Sequence, residues 1–264
     1  MPSPVNRIDP SEVDGEARAR LGFWLRNDAA RLLWPARCLA CGDPGGDGID
    51  LCAACATRLP WNASACLRCA IPLPRPESSG GDDVRVCGAC LPGAAGAVRA
   101  APLTEVHAAC VYAAPVDRLL LRFKFHRDLA AGGLLAQLMA QALAGAPSPA
   151  ALLPVPLHRS RLRQRGYDQA LELARPLARA LGLPVLDHVL ARIRATAPQS
   201  QLDAAQRQRN LQRAFEVRGN ARLPAHVVLV DDVMTTGATL HAAAAALKRA
   251  GVQRVDAWVC ARVP

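Results

Sequence analysis

Eight of the ten cysteines fall into four C-x-x-C pairs, Cys38/Cys41, Cys52/Cys55, Cys66/Cys69 and Cys87/Cys90, and no other feature constrains the chain as tightly. A two-residue spacer lets one tight turn aim both thiolates at one ion, and eight sulfurs make two tetrahedral sites. Ten residues separate the first pair from the second and seventeen separate the third from the fourth, both suited to the two knuckles of a zinc ribbon. Taken in sequence order, Cys38, Cys41, Cys52 and Cys55 hold one zinc and Cys66, Cys69, Cys87 and Cys90 the other. Interleaved joining and an iron–sulfur cluster use the same donors and stay open at this level. Recurrence at one spacing argues against ordinary core cysteines. That description suits Cys110 and Cys260, each in an apolar, strand-like run.

Around these pairs, residues 35–98 read as Cys, Gly, Pro and short turns without a periodic apolar face, the texture expected where metal replaces a hydrophobic core. They form a small double-ribbon domain. Residues 1–34 precede it as a tail and a short helix, with Leu21, Trp24, Leu25, Leu32 and Leu33 roughly on one face over residues 17–33. Residues 99–264 then alternate strand and helix. Strands are expected at 106–112, running into Pro154 and Pro156, at 185–193, 215–217, 227–230 and 255–261, with helices at 116–123, 129–143, 167–181 and up to 250. That order predicts an α/β, Rossmann-like domain with a mainly parallel sheet. The 51% hydrophobic content supplies its core. No run of eighteen apolar residues and no apolar leader occur, so neither a membrane span nor a signal peptide is expected, and the chain is assigned to the cytoplasm.

The net charge of +10 is regional, since residues 157–222 hold thirteen arginines against five acids. Such a region suits phosphate-bearing partners, a small ligand or a nucleic-acid backbone. Only Lys124 and Lys248 are lysines, so the arginine excess is discounted as a sign of a partner.

The strongest chemical signal is VVLVDDVMTTGAT at residues 227–239. Four apolar residues predict a buried strand, followed by Asp231 and Asp232, a Thr-rich turn and an Ala-rich helix. In an open α/β sheet this turn lies at the carboxyl end of a strand, where ligands bind. The N–H groups of Thr235, Thr236, Gly237, Ala238 and Thr239, with the hydroxyls and the helix N-terminus, would cradle a phosphate dianion. Gly237 allows close backbone approach. Adjacent carboxylates beside such a cradle suit ribose 2′ and 3′ hydroxyls or magnesium. The absence of G-x-x-x-x-G-K-[ST] and of a strand-following G-x-G-x-x-G argues against a P-loop NTPase and a dinucleotide fold.

This motif resembles the phosphoribosyl pyrophosphate signature of type I phosphoribosyltransferases. The chain from about residue 35 onward resembles the ComF family, through the cysteine pairs, PVPLHRSRLRQRGYDQA from Pro154, TAPQSQLDAAQRQRN from Thr196 and the 231–239 motif. The resemblance implies that Asp231 and Asp232 bind the ribose hydroxyls and that residues 235–239 bind the 5′-phosphate. It also puts magnesium-bridged pyrophosphate near the turn after Pro154, with residues 196–210 as a closing loop. Lys124 becomes a candidate for neutralising pyrophosphate, and with the two acids makes up the candidate catalytic set. Single-stranded DNA and DNA-uptake proteins become candidate partners, and a phosphoribosyl pyrophosphate sensor is a further reading. The chain departs from the family pattern at Arg127, where a Gly is usual in the block after Lys124, and at Asp168, where Asn is usual. His126, His158 and His241 lack a paired acid or second ligand in the sequence and are assigned surface or packing roles.

Overall fold

The structure is a computed structural model and describes residues 36–46, 49–74, 85–91, 102–194, 214–219 and 223–264. The expected lead helix at 17–33 and the expected loop at 196–210 lie outside these residues. Two compact units divide the chain, Met1–Thr57 and Arg58–Pro264.

In the first unit the described chain is built from turns, an isolated Arg37–Pro44 bridge and one short helix, α1 (Ala53–Ala56). The second unit holds a four-stranded sheet in the order β1 (Val106–Val111), β6 (Arg254–Arg262), β5 (His226–Met234), β2 (Ala151–Pro154). Every pairing in it is parallel. The connecting helices are α2 (Val116–Phe125), α3 (Leu129–Leu143), α4 (Arg159–Arg165), α5 (Gln169–Leu181) and α6 (Ala238–Arg249). A separate antiparallel pair joins β3 (Leu190–Arg192) to β4 (Phe215–Val217).

The run VVLV reads as continuous apolar sequence because β5 is central and covered on both faces, and Val227 to Val230 are fully buried. Strand side chains alternate, so Val227 and Leu229 join Leu240, Ala243 and Leu247 of α6 in one core, together with Leu190 and Phe215. The intervening residues face the layer made by α3 and α5, which pack on each other and on the sheet. Leu134, Leu135, Leu138 and Met139 of α3 and Leu173, Ala174 and Leu177 of α5 supply the buried faces. Cys110 and Cys260 are fully buried among them, as packing residues.

Two sequence expectations need correction. The seven-residue helix α4 was not foreseen, because its arginines leave no apolar face to read. Strand β5 does not stop at Val230 but continues through both carboxylates to Met234, since Asp231, Val233 and Met234 keep register with Val259, Ala261 and Arg262 of β6. The acids are strand residues rather than part of the following turn.

Candidate functional site

Because Asp231 and Asp232 are consecutive strand residues, they point toward opposite faces. Asp232 is buried and takes an ion pair from Lys124 Nζ at 3.0 Å, on the side of α2. Asp231 lies on the side of α6, within electrostatic reach of Arg192 on β3. Its Oδ1 accepts the Asp232 N–H at 2.9 Å. Burial first, and the charge of Asp232 second, push the Asp231 carboxyl up to about 8. Lys124 therefore points into the site rather than into solvent, as α2 brings it to the end of β5.

After Met234 the chain turns through exposed Thr235 and Thr236 to Gly237, which caps α6 with φ +75°. That positive φ strains any residue with a Cβ, and a Cβ there would also displace the Met234 methyl, so the turn favours glycine. The Ala238 N–H donates to Thr236 Oγ1 at 3.4 Å, and α6 begins at that residue with its N-terminus toward the turn.

The other candidate turn follows β2. Asp168 caps α5 by accepting from Leu171 N–H at 3.3 Å, and its second oxygen accepts from Leu157 N–H at 3.0 Å. One carboxylate thus fixes both the turn after Pro156 and the start of α5. Burial raises its pKa first, and the charge of Asp232 adds to this, which places Asp168 near the same charge cluster. Asp168 and Arg192 were not assigned roles from the sequence, because the link depends on β2, β3 and β5 meeting in space.

Arg127 explains how the chain does without the usual Gly: it takes φ +55°, the left-handed conformation that glycine would fill. The neighbouring Asp128 caps α3 through Ala131 N–H at 3.0 Å and receives Arg122 Nε at 2.9 Å. His158 likewise caps α4, accepting from Ser160 N–H at 3.3 Å.

The cysteines gather as Cys38, Cys41, Cys52, Cys55 and as Cys66, Cys69, Cys87, Cys90, each set with its sulfurs within 4.8 Å of one another. The pairing is therefore sequential. Tetrahedral Zn–S bonds imply sulfur separations of about 3.8 Å, and Cys41–Cys52 and Cys69–Cys87 stand at 3.6 and 3.7 Å. Both first knuckles are built alike. Gly42 N–H donates to the Cys38 carbonyl at 2.8 Å, and Ala70 N–H to that of Cys66 at 2.7 Å. Burial raises the Cys38 and Cys66 thiols, but backbone N–H donors outweigh it and bring them to about 6 and about 7.

The second cluster belongs to the larger unit. Val106 N–H donates to Leu67 O at 2.8 Å, Asn62 N–H to Ala109 O at 3.1 Å, and Arg262 Nε to Cys69 O at 2.8 Å.

Residues 29–91 match the double zinc ribbon domain and residues 168–264 the phosphoribosyl transferase domain. The chain is 33% identical over 241 residues to the DNA utilization protein YhgH of Salmonella typhi, an alignment covering 88% of this chain and 99% of that protein. The chain belongs to the ComF family. Competence protein F of Haemophilus influenzae is 37% identical over 159 residues, covering 57% of this chain and 69% of that protein. Competence protein ComFC of Bacillus subtilis is 35% identical over 101 residues, covering 38% and 39%. The ComF domain order, double ribbon then phosphoribosyltransferase fold, is the one seen here, and the two four-cysteine clusters are its zinc sites. Among the described residues no helix is long and apolar enough to cross a membrane.

Proposed function

We propose that the end of β5 binds phosphoribosyl pyrophosphate as its magnesium complex, and that the chain serves DNA handling through this phosphoribosyltransferase-like site. The observation that carries the reading is the meeting of Asp231 and Asp232 with a left-handed glycine turn at the N-terminus of α6. The carboxylates would accept hydrogen bonds from the ribose 2′ and 3′ hydroxyls. N–H groups and hydroxyls of residues 235–239 would hold the 5′-phosphate. The pyrophosphate would lie by the turn that Asp168 fixes at Leu157.

The donor set fits a cation. Burial, and after it the charge of Asp232, already lifts Asp231, and a bound diphosphate adds charge that magnesium would neutralise. Lys124, released from Asp232 as the ribose hydroxyls arrive, would turn its charge toward the pyrophosphate. In a transfer reaction the same charges would stabilise departing pyrophosphate while a nitrogen nucleophile attacks C1.

Calorimetric titration with phosphoribosyl pyrophosphate and magnesium tests the reading. Wild type is expected to bind and the Asp231→Asn, Asp232→Asn double variant to lose binding. No heat from folded, zinc-loaded wild type would overturn it.

A second ligand, single-stranded DNA, is favoured by Phe125, next in sequence to Lys124 and 64% exposed, with the Arg165 guanidinium 5.6 Å above its ring. Arg159, Arg161 and Arg163 are exposed on the same short helix as Arg165. An exposed ring among arginines offers base stacking and phosphate binding together. The relatives named for competence and DNA utilization point the same way, toward DNA-uptake proteins as partners. Arg161→Ala, Arg163→Ala, Arg165→Ala is expected to weaken DNA binding and flatten its log–log salt slope by about 0.7 for each phosphate that is no longer neutralised. An unchanged slope would remove this helix from the DNA path.

A further inference from the structure

We propose that Arg262 is a positioning residue that couples the second zinc site to the phosphate turn, so that metal at Cys66, Cys69, Cys87 and Cys90 stiffens residues 234–239 and tightens their hold on phosphate. The ligand in this statement rests on the function proposed for the β5 end; the coupling between the two places does not.

Arg262 ends β6, paired in register with Met234 at the end of β5. Its Nε donates to the Cys69 carbonyl at 2.8 Å. Its Nη1 reaches the Met234 carbonyl at 3.4 Å and also meets the Val263 carbonyl. The guanidinium is planar and its donors are fixed relative to one another, so it sets the spacing between these carbonyls as a flexible ammonium could not.

Each carbonyl is tied to a functional element. Cys69 is a metal ligand, and its carbonyl leads into the left-handed Ala70, φ +55°, whose own carbonyl accepts from Asn62 Nδ2 at 2.9 Å. Without metal, four unligated thiols hold this knuckle less firmly, and the Cys69 carbonyl loses its fixed direction. At the other end, the Met234 methyl occupies the space beneath Gly237, so a shift of Met234 passes to the residue that shapes the phosphate cradle. The bridge spans 193 residues of sequence on one side and 28 on the other. The first cysteine cluster belongs to the other compact unit and serves as the internal control.

Coupling of this kind is reciprocal, so ligand at the turn must tighten metal binding at the second site by the factor that metal tightens the ligand, and slower metal loss is the expected kinetic sign of it. The test uses the full, zinc-loaded chain and the variants Arg262→Gln and Arg262→Lys. Two quantities are followed: amide hydrogen exchange of residues 234–240, and release of each zinc to a colorimetric chelator. In both variants exchange at 234–240 is expected to quicken. One of the two zincs should leave at least about fivefold faster while the other is unchanged. In wild type, phosphoribosyl pyrophosphate with magnesium should slow loss of that same zinc, and in the variants it should not.

Unchanged exchange and unchanged zinc release in both variants would overturn the coupling. If wild type binds no phosphoribosyl pyrophosphate while both ligand-free measurements move with Arg262, the coupling stands and the ligand assignment falls. Should the Arg262 variants fail to fold, Cys87→Ser, Cys90→Ser is compared with Cys38→Ser, Cys41→Ser. The first pair alone should quicken exchange at 234–240, and equal effects from both pairs would overturn the proposal.

Discussion

At Arg127 a long, charged side chain occupies a backbone conformation suited to glycine, and the strain is measurable. Arg127→Gly is expected to raise stability by up to about 1 kcal/mol, the relief of strain exceeding the entropy that glycine adds to the unfolded chain. A lower midpoint in urea would show that the Arg127 guanidinium, close to Gly166, contributes more than the strain removes. Asp231 sets a pH dependence. Its carboxyl is raised to about 8 in the folded protein, so the protonated form is favoured there. Its contribution to stability is thus fully present below the ordinary carboxylate range and is lost as pH rises through about 8. Ligand binding to the ionised carboxylate runs the opposite way. Phosphoribosyl pyrophosphate affinity should climb with pH below about 8, by at most about tenfold per unit, and level off above it, with proton release seen as buffer-dependent heat at about pH 7. In Asp231→Asn that proton release should vanish.

Strands β1, β5 and β6 begin around one carboxylate. Buried Asp256 of β6 accepts from Glu105 N–H at 3.0 Å, His226 Nε2 at 2.7 Å and Arg254 Nε at 2.9 Å. Arg254 also pairs with Glu105 at 2.8 Å. This network stands at the end of the sheet opposite the turn at Gly237 and fixes where three parallel strands start. Asp256→Ala leaves the Glu105 N–H and His226 without their acceptor, and Arg254 with Glu105 alone. Its expected cost is about 2–3 kcal/mol, below the full value for a buried pair because His226 and Arg254 reach solvent. Calorimetric melting checks it, and a loss under about 0.5 kcal/mol would mean that water replaces the carboxylate. The strands themselves were legible from apolar runs, and the helices α2, α3 and α5 from periodicity. Helix α4 was not, because seven residues dominated by arginine form a helix through the His158 cap and the left-handed Gly166 rather than through an apolar face.

The molecule is a pair of compact units with the zinc clusters divided between them, one in each. In the first unit Cys38 and Leu51 are the buried hydrophobics among the described residues, too little to fold without metal. The protein as purified is expected to carry two zinc ions per chain, and a metal assay near zero or showing iron would contradict the cluster assignment. Chelation should abolish exchange protection at residues 36–46 and 49–57 while the far-ultraviolet signal of the larger sheet persists, because that sheet has its own apolar core. Sequence alone determined the ribbons, the α/β alternation and the strand–turn–helix at residues 227–249, since ligand spacing, apolar period and a strand–turn–helix motif are all local and survive in one dimension. Tertiary structure alone decided how the cysteine pairs combine, that two adjacent carboxylates diverge, and that Lys124, Asp168 and Arg192 converge on them. It also decided that one guanidinium at residue 262 bridges the carbonyls of Cys69 and Met234. Those relations depend on which strands lie side by side, and strand order in a parallel sheet is fixed by crossovers that no short stretch of sequence contains.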